Sequence, residues 1–184
     1  MITPKFVRED RVVIGPCLLS YVHLFAKYEP KDGGDGKYMA NVLIPKGETE
    51  TINALNQAIE AAKKAGIVSK WGGKLPKKLD MPLRDGNEKD DAVYEDCLFV
   101  NAKSNNRVSI TDKNNVPIVD EEEVYSGMYA FVSISFYPYD KNGNRGIACS
   151  LNGIKKYKDG ERLGGGGSGE ADLADIDMED DDDL

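Results

Sequence analysis

A chain of 184 residues can bury the core of one compact domain without disulfides or metals, and is too short for two full domains. Its net charge of −8 is unevenly spread: residues 164–184 hold nine Asp and Glu and no Lys or Arg, leaving 23 acidic against 24 basic residues in the body. The overall acidity therefore does not exclude nucleic-acid binding, whereas three dispersed cysteines and a single histidine do exclude a local zinc-ligand set or a disulfide framework.

No charged-then-apolar leader opens the chain, and no run approaches the ~18 apolar residues of a membrane span, so a soluble, cytoplasmic protein without membrane contact is expected. The stretch RVVIGPCLLSYVHLFAKYEP is β-branched and aromatic and predicts a long strand with a bend or bulge at Gly15-Pro16. After the loop DGGDGK, YMANVLIP alternates Tyr38, Ala40, Val42 and Ile44 against Met39, Asn41 and Leu43, and completes a first hairpin. The segment ETETINALNQAIEAAKKAG places Ile52, Leu55, Ile59 and Ala62 on one helical face, opens on acids and closes on Lys63-Lys64 before Gly66, predicting one helix. An irregular, basic window follows, holding Lys70, Trp71, Lys74, Lys77, Lys78 and Arg84. EDCLFVNAKS and RVSIT then read as short strands, KNNVPIVDEEE as a loop, and GMYAFVSISFYPYDKNGNRGIACSLNGI as a long hairpin turning at DKNGNR.

Five or so strands around a single helix favour a mainly β fold over a doubly wound sheet. The expected architecture is an OB-fold-like antiparallel five-stranded barrel with one α-helix between strands. Residues 1–163 form that domain, 164–169 a Gly/Ser linker, and 170–184 a disordered acidic tail.

The strand MYAFVSISFYPY has two faces that differ in kind. Met128, Ala130, Val132, Ile134 and Phe136 suit a core, while the other face interleaves Tyr129, Phe131, Tyr137 and Tyr139 with Ser133 and Ser135. A solvated face need not carry four rings, and unpaired bases supply partners, because every base has a π-face. Arg145, Lys155, Lys156, Lys158 and Arg162 follow on the hairpin's return. With Lys70, Lys74, Lys77, Lys78 and Arg84 they predict a groove that tracks a phosphate backbone, with Trp71 as a further stacking candidate. The tail's carboxylates are expected to compete with phosphates for these cations and, once displaced, to reach basic partners.

The segments YSGMYAFVSISFYPYDKNGNRGIACSLNGIKKYKDGERLGGG and TINALNQAIEAAKK, together with the acidic end, resemble bacteriophage single-stranded DNA-binding proteins of the OB-fold type. The resemblance covers most of the chain. It implies sequence-independent binding of single strands in phage replication, recombination or repair, without catalysis or cofactor. It also implies a C-terminus, here Asp180, Asp181, Asp182, Asp183 and Leu184, that contacts phage or host replication proteins such as a polymerase or helicase, and leaves room for a homodimer. Such tails often end in an aromatic residue, and this one ends in Leu184.

Other chemistries find weaker support. LGGGGSGE has Glu170 where a phosphate-binding loop needs lysine, and DKNGNRGIACSL lacks the calcium-loop glutamate. Asp120 to Glu123, with Asp140, offer carboxylates for a Mg²⁺-dependent nuclease, although neighbouring residues on a strand point to opposite sides. A DNA-mimicking acidic assembly protein is the remaining alternative.

Overall fold

The structure is a computed structural model that describes residues 1–164. Apart from Gly164, the expected linker and acidic tail lie outside the described residues. Among these are nine regular elements: β1 (Lys5–Arg8), β2 (Arg11–Tyr28), β3 (Lys37–Pro45), α1 (Thr49–Ser69), β4 (Arg84–Asp85), β5 (Cys97–Ser104), β6 (Ser109–Thr111), β7 (Tyr129–Lys141) and β8 (Asn144–Lys158).

Five strands close on one another in the order β2-β3-β5-β8-β7 and back to β2. Four junctions are antiparallel and the fifth, β5 with β8, is parallel, so the expected barrel forms with one junction of the other sense. Strand β2 is long because it serves two neighbours within the barrel, and β1 adds to its first half from outside. Its first half pairs with β7 and its second with β3, and the β7 ladder breaks between Ile14 and Cys17, where Gly15-Pro16 interrupts it. Proline has no N–H to give to a ladder, which is why the pairing skips there and resumes with β7 at Cys17 and Leu18 before β3 takes over. The β7–β8 hairpin turns at Asn142-Gly143, both with positive φ (53° and 86°), the backbone a tight two-residue hairpin requires. Strands β1 and β4, too short to show a period, were not anticipated.

Inward residues alternate as the pattern requires: Ala40, Val42 and Ile44 on β3 and Ala130, Val132, Ile134 and Phe136 on β7 are all buried. Helix α1 packs Leu55, Ile59 and Ala62 against the barrel, chiefly at β7. It does not stop before Gly66 but runs to Ser69. A Cβ on Gly66 would stand 2.7 Å from the Trp71 ring and from Pro138, so the glycine provides close packing rather than an end.

On β3 the outer residues Asn41 and Leu43 are buried too. The segment 86–96 lies over them, forming a second apolar cluster of Leu43, Tyr94 and Phe99. Two 3₁₀ turns shape that segment, capped by Asp85 Oδ1 accepting from the Asn87 N–H and Asp91 Oδ1 from the Val93 N–H. The three cysteines are free; Cys17 and Cys149 are buried, and burial pushes the Cys17 thiol up to about 12 and raises Cys149 as well.

Candidate nucleic-acid interface

All four rings of the β7 stripe lie on the barrel's outer side, but pairing with β8 divides them. Tyr129 stands opposite Lys158 and Phe131 opposite Lys155 at one end; Tyr137 faces Ala148 and Tyr139 faces Gly146 at the other. Tyr137 lies six positions after Phe131, roughly 20 Å along the strand. At the first end Phe131 meets Tyr157 edge-on at 5.5 Å, and Lys158 Nζ lies 4.9 Å from the Tyr129 ring. At the second end Tyr137 is exposed, while Tyr139 is half-buried with its hydroxyl donating to Asp80 Oδ2 at 3.3 Å.

The basic loop meets the second end. Asp80 donates its N–H to the Arg145 carbonyl and accepts from the Ile147 N–H, which ties residues 70–84 to the hairpin beside Tyr139. Lys70, Lys74, Lys77 and Lys78 are all exposed there. Arg145 keeps much of its exposure while pairing with Asp140 at 2.9 Å, and the Arg84 guanidinium lies over Phe99 at 5.1 Å. Lys155 lines a separate trough of about 430 Å³ with Phe131, Ser133 and Ile2.

Two expected contacts belong to the interior instead. Trp71 is 4 % exposed and its Nε1–H donates to the Tyr139 carbonyl at 3.1 Å, so its ring is core and unavailable to a base. Lys156 is buried between Glu123 (3.0 Å) and Asp159 (2.6 Å). Burial lowers its pKa, but these two carboxylates outweigh burial and the net shift is upward. Such a lysine neutralises its own protein and has no charge left for a phosphate. Arg162 stays exposed while it stacks on Tyr125 at 4.2 Å and donates to the Glu122 carbonyl. Sequence placed Lys156 on the right strand without showing its acidic neighbours.

Reading across the strands reveals a row that single-strand periodicity cannot show. Tyr137 pairs with Ala148 on β8; the parallel β5–β8 register brings Asn101 alongside; Asn101 pairs with Asn41 on β3, and Asn41 with Ser20 on β2, next to Tyr21. One step over run Ser150, Lys103, Met39 and His23. The row thus crosses five strands with small or amide side chains in its middle and exposed tyrosines at its ends, Tyr137 at 46 % and Tyr21 at 50 %. Asn101 Oδ1 is buried and finds no partner among the described residues, whereas the Asn41 amide donates to the Tyr94 hydroxyl at 2.6 Å. Tyr21, His23, Lys89, Asn101 and Lys103 were missed. Tyr21 sits within the apolar run LLSYVHLF, and only a left-handed backbone (φ 47°) in an irregular stretch of the β2–β3 ladder turns it outward. Lys89 Nζ lies 5.0 Å from that ring and 5.2 Å from those of Tyr94 and Phe99. Half-burial lowers the His23 pKa, leaving it neutral near pH 7.

The carboxylates weighed for a nuclease are dispersed. Asp120 Oδ1 caps its own turn on the Glu122 N–H, Glu123 pairs with Lys156, and Asp140 pairs with Arg145 at the hairpin tip. Among the described residues no three His, Cys, Asp or Glu side chains are grouped as metal ligands. No helix among them is long and apolar enough to cross a membrane.

A family model described as Enterobacter phage Enc34, ssDNA-binding protein matches residues 10–184. The chain is 35 % identical over 159 residues to putative protein p50 of Acyrthosiphon pisum secondary endosymbiont phage 1, covering 81 % of this chain and 84 % of that protein. Among solved structures, the single-stranded DNA-binding protein of bacteriophage Enc34 in complex with ssDNA superposes with a TM-score of 0.74 at 22 % identity, covering 88 % of this chain and 98 % of that one. The single-stranded DNA-binding protein gp2.5 of bacteriophage T7 superposes with a TM-score of 0.61 at 13 % identity, covering 84 % and 94 %. At these identities the two structures speak for the shared fold.

Proposed function

The chain belongs to the family of the Enterobacter phage Enc34 ssDNA-binding protein, and on that premise we propose that it binds single-stranded DNA without sequence preference in phage replication, recombination or repair, as a binder and not a catalyst. The observation that carries this reading is the crosswise row from Tyr137 to Tyr21, with the lysines of the 70–84 loop at one end and Lys103 and Lys89 along it. Exposed rings offer stacking worth about 1–3 kcal/mol per base, and the cations supply a salt-dependent attraction for phosphates. An OB barrel presents its nucleic-acid face across the outside of its second and third strands, here β3 and β5; because residues 86–96 cover Asn41 and Leu43, the open path over that face runs one step over, at Lys103, Met39 and His23. Tyr139, Arg145, Lys70, Lys74, Lys77 and Lys78 flank the Tyr137 end, and Arg84 lies over Phe99 beside Lys89. Tyr129, Phe131, Lys155 and Lys158 form a lesser contact at the far end of β7.

The acidic C-terminus is the second part of the proposal. Gly164, which the acidic segment follows in sequence, lines a cleft together with Tyr21 and His23. Nine carboxylates are therefore tethered beside the row, where they compete with DNA phosphates and, once displaced, engage a phage or host polymerase or helicase through Asp180–Leu184. The site of action is the host cytoplasm.

Fluorescence anisotropy with labelled oligonucleotides tests both parts. Single strands should bind more tightly than a duplex of equal length, Tyr137→Ala should cost about 1–3 kcal/mol and Tyr137→Phe little. Removing residues 170–184 should tighten binding at low salt, by a factor that shrinks as salt rises. Tighter binding to duplex, or an unchanged affinity for Tyr137→Ala, rejects the single-strand row; unchanged affinity after deletion rejects the competing tail.

A further inference from the structure

The cleft beside Tyr21 measures about 440 Å³, within the ~300–1,000 Å³ range of small-ligand sites. Its lining includes Ser20, Tyr21, His23, Asp91, Val93 and Leu163. Among the described residues Asp91 is the one charged side chain on that lining, since Lys89 holds the Tyr21 ring from outside it. Among the described residues no Lys or Arg pairs with the Asp91 carboxylate, which uses Oδ1 to accept the Val93 N–H. His23 adds no positive charge near neutral pH. An unpaired carboxylate repels a phosphate, so whatever fills this cleft offers it hydrogen-bond donors and not negative charge.

The geometry points to a base pocket at the Tyr21 end of the row, in which an unpaired nucleobase stacks on Tyr21 and donates an exocyclic amine to Asp91. The pocket rests on the single-strand reading above and refines it: stacking and phosphate contacts along the row stay indifferent to sequence, and one position at its end prefers one base. Cytosine presents its N4 amine to the carboxylate, the pairing by which Asp and Glu recognise that base. Thymine turns a carbonyl oxygen to the same place, and two acceptors facing each other repel. Both are pyrimidines with similar stacking area, so the difference between them isolates Asp91.

The experiment measures affinities of the full chain for short homopolymers of deoxycytidine and deoxythymidine at one salt concentration. Homopolymers differ in their own stacking and flexibility, so the quantity compared is the cytidine-to-thymidine affinity ratio of each variant relative to that of the unaltered chain. Asp91→Asn keeps an oxygen for the Val93 N–H and puts an amide donor where the free carboxylate oxygen was. It should lower the ratio by about three- to tenfold, the size of one hydrogen-bond discrimination. Tyr21→Asn removes the ring with a residue that tolerates the left-handed backbone, and should weaken both homopolymers by at least about fivefold with an unchanged thermal melt. A ratio unaltered in Asp91→Asn, or wild-type affinities in a folded Tyr21→Asn, overturns the pocket while leaving single-strand binding in place. Failure of the unaltered chain to bind either homopolymer overturns the single-strand reading itself.

Discussion

Replacing Trp71 by alanine separates core from interface more sharply than any other single change. The indole is 4 % exposed, packs on Gly66, and gives its N–H to the Tyr139 carbonyl at 3.1 Å. Removing a buried Trp side chain costs about 3–5 kcal/mol through lost burial and the cavity left behind. Near the middle of that range, a domain of this size should melt about 8–16 °C lower. Trp71→Phe retains most of the apolar volume but leaves the Tyr139 carbonyl without its donor, a loss of about 1–2 kcal/mol. Unfolding followed by far-ultraviolet circular dichroism measures both. Because Trp71 is the chain's one tryptophan, its emission should be that of a buried indole and should change little when DNA is added. Where the alanine variant is still folded, its affinity for single strands should match that of the unaltered chain. An alanine variant with an unchanged melt and an affinity loss of about 1–3 kcal/mol would put the ring against a base and refute this reasoning.

Lys77→Gln combined with Lys78→Gln should lower affinity equally for all sequences and flatten the slope of log K against log salt by about 1.4, or about 0.7 per phosphate contact; an unchanged slope removes both from the DNA path. Asp159 is held below its ordinary carboxyl value of 3.8, first by Lys156 and then by the Tyr125 hydroxyl. Its contribution to stability is therefore complete above that value and lost as pH falls below it, so Asp159→Asn should destabilise the fold at neutral pH and remove part of the acid-induced loss; parallel pH–stability curves would count against the contact. Thiol titration of the native chain should modify Cys97 first and leave Cys17 and Cys149 protected until denaturant is added, because burial removes both access and thiolate; three equal rates would contradict the burial.

The amino-acid sequence by itself determined the longer strands and the helix. Alternation along YMANVLIP and MYAFVSISFYPY is a local property of β backbone, so the two faces of β3 could be told apart, and Ala130 and Ile134 assigned to a core, without coordinates. The DKNGNR turn, the apolar face of α1 and the segregation of carboxylates beyond residue 163 were legible for the same reason, since each depends on residues close in the chain. Only the tertiary structure decided which rings and cations face solvent. Trp71 lies buried against the helix's own Gly66 and the hairpin, Lys156 meets Glu123 thirty-three residues away, and the outer face of β3 is covered by residues 86–96. Tyr137 and Tyr21 stand at the two ends of one row because four strand registers bring them there across 116 residues of chain. A strand's own period shows which side a residue takes, but long-range pairing sets what lies beside it, and a nucleic-acid strand crossing the barrel contacts neighbours in space rather than in sequence.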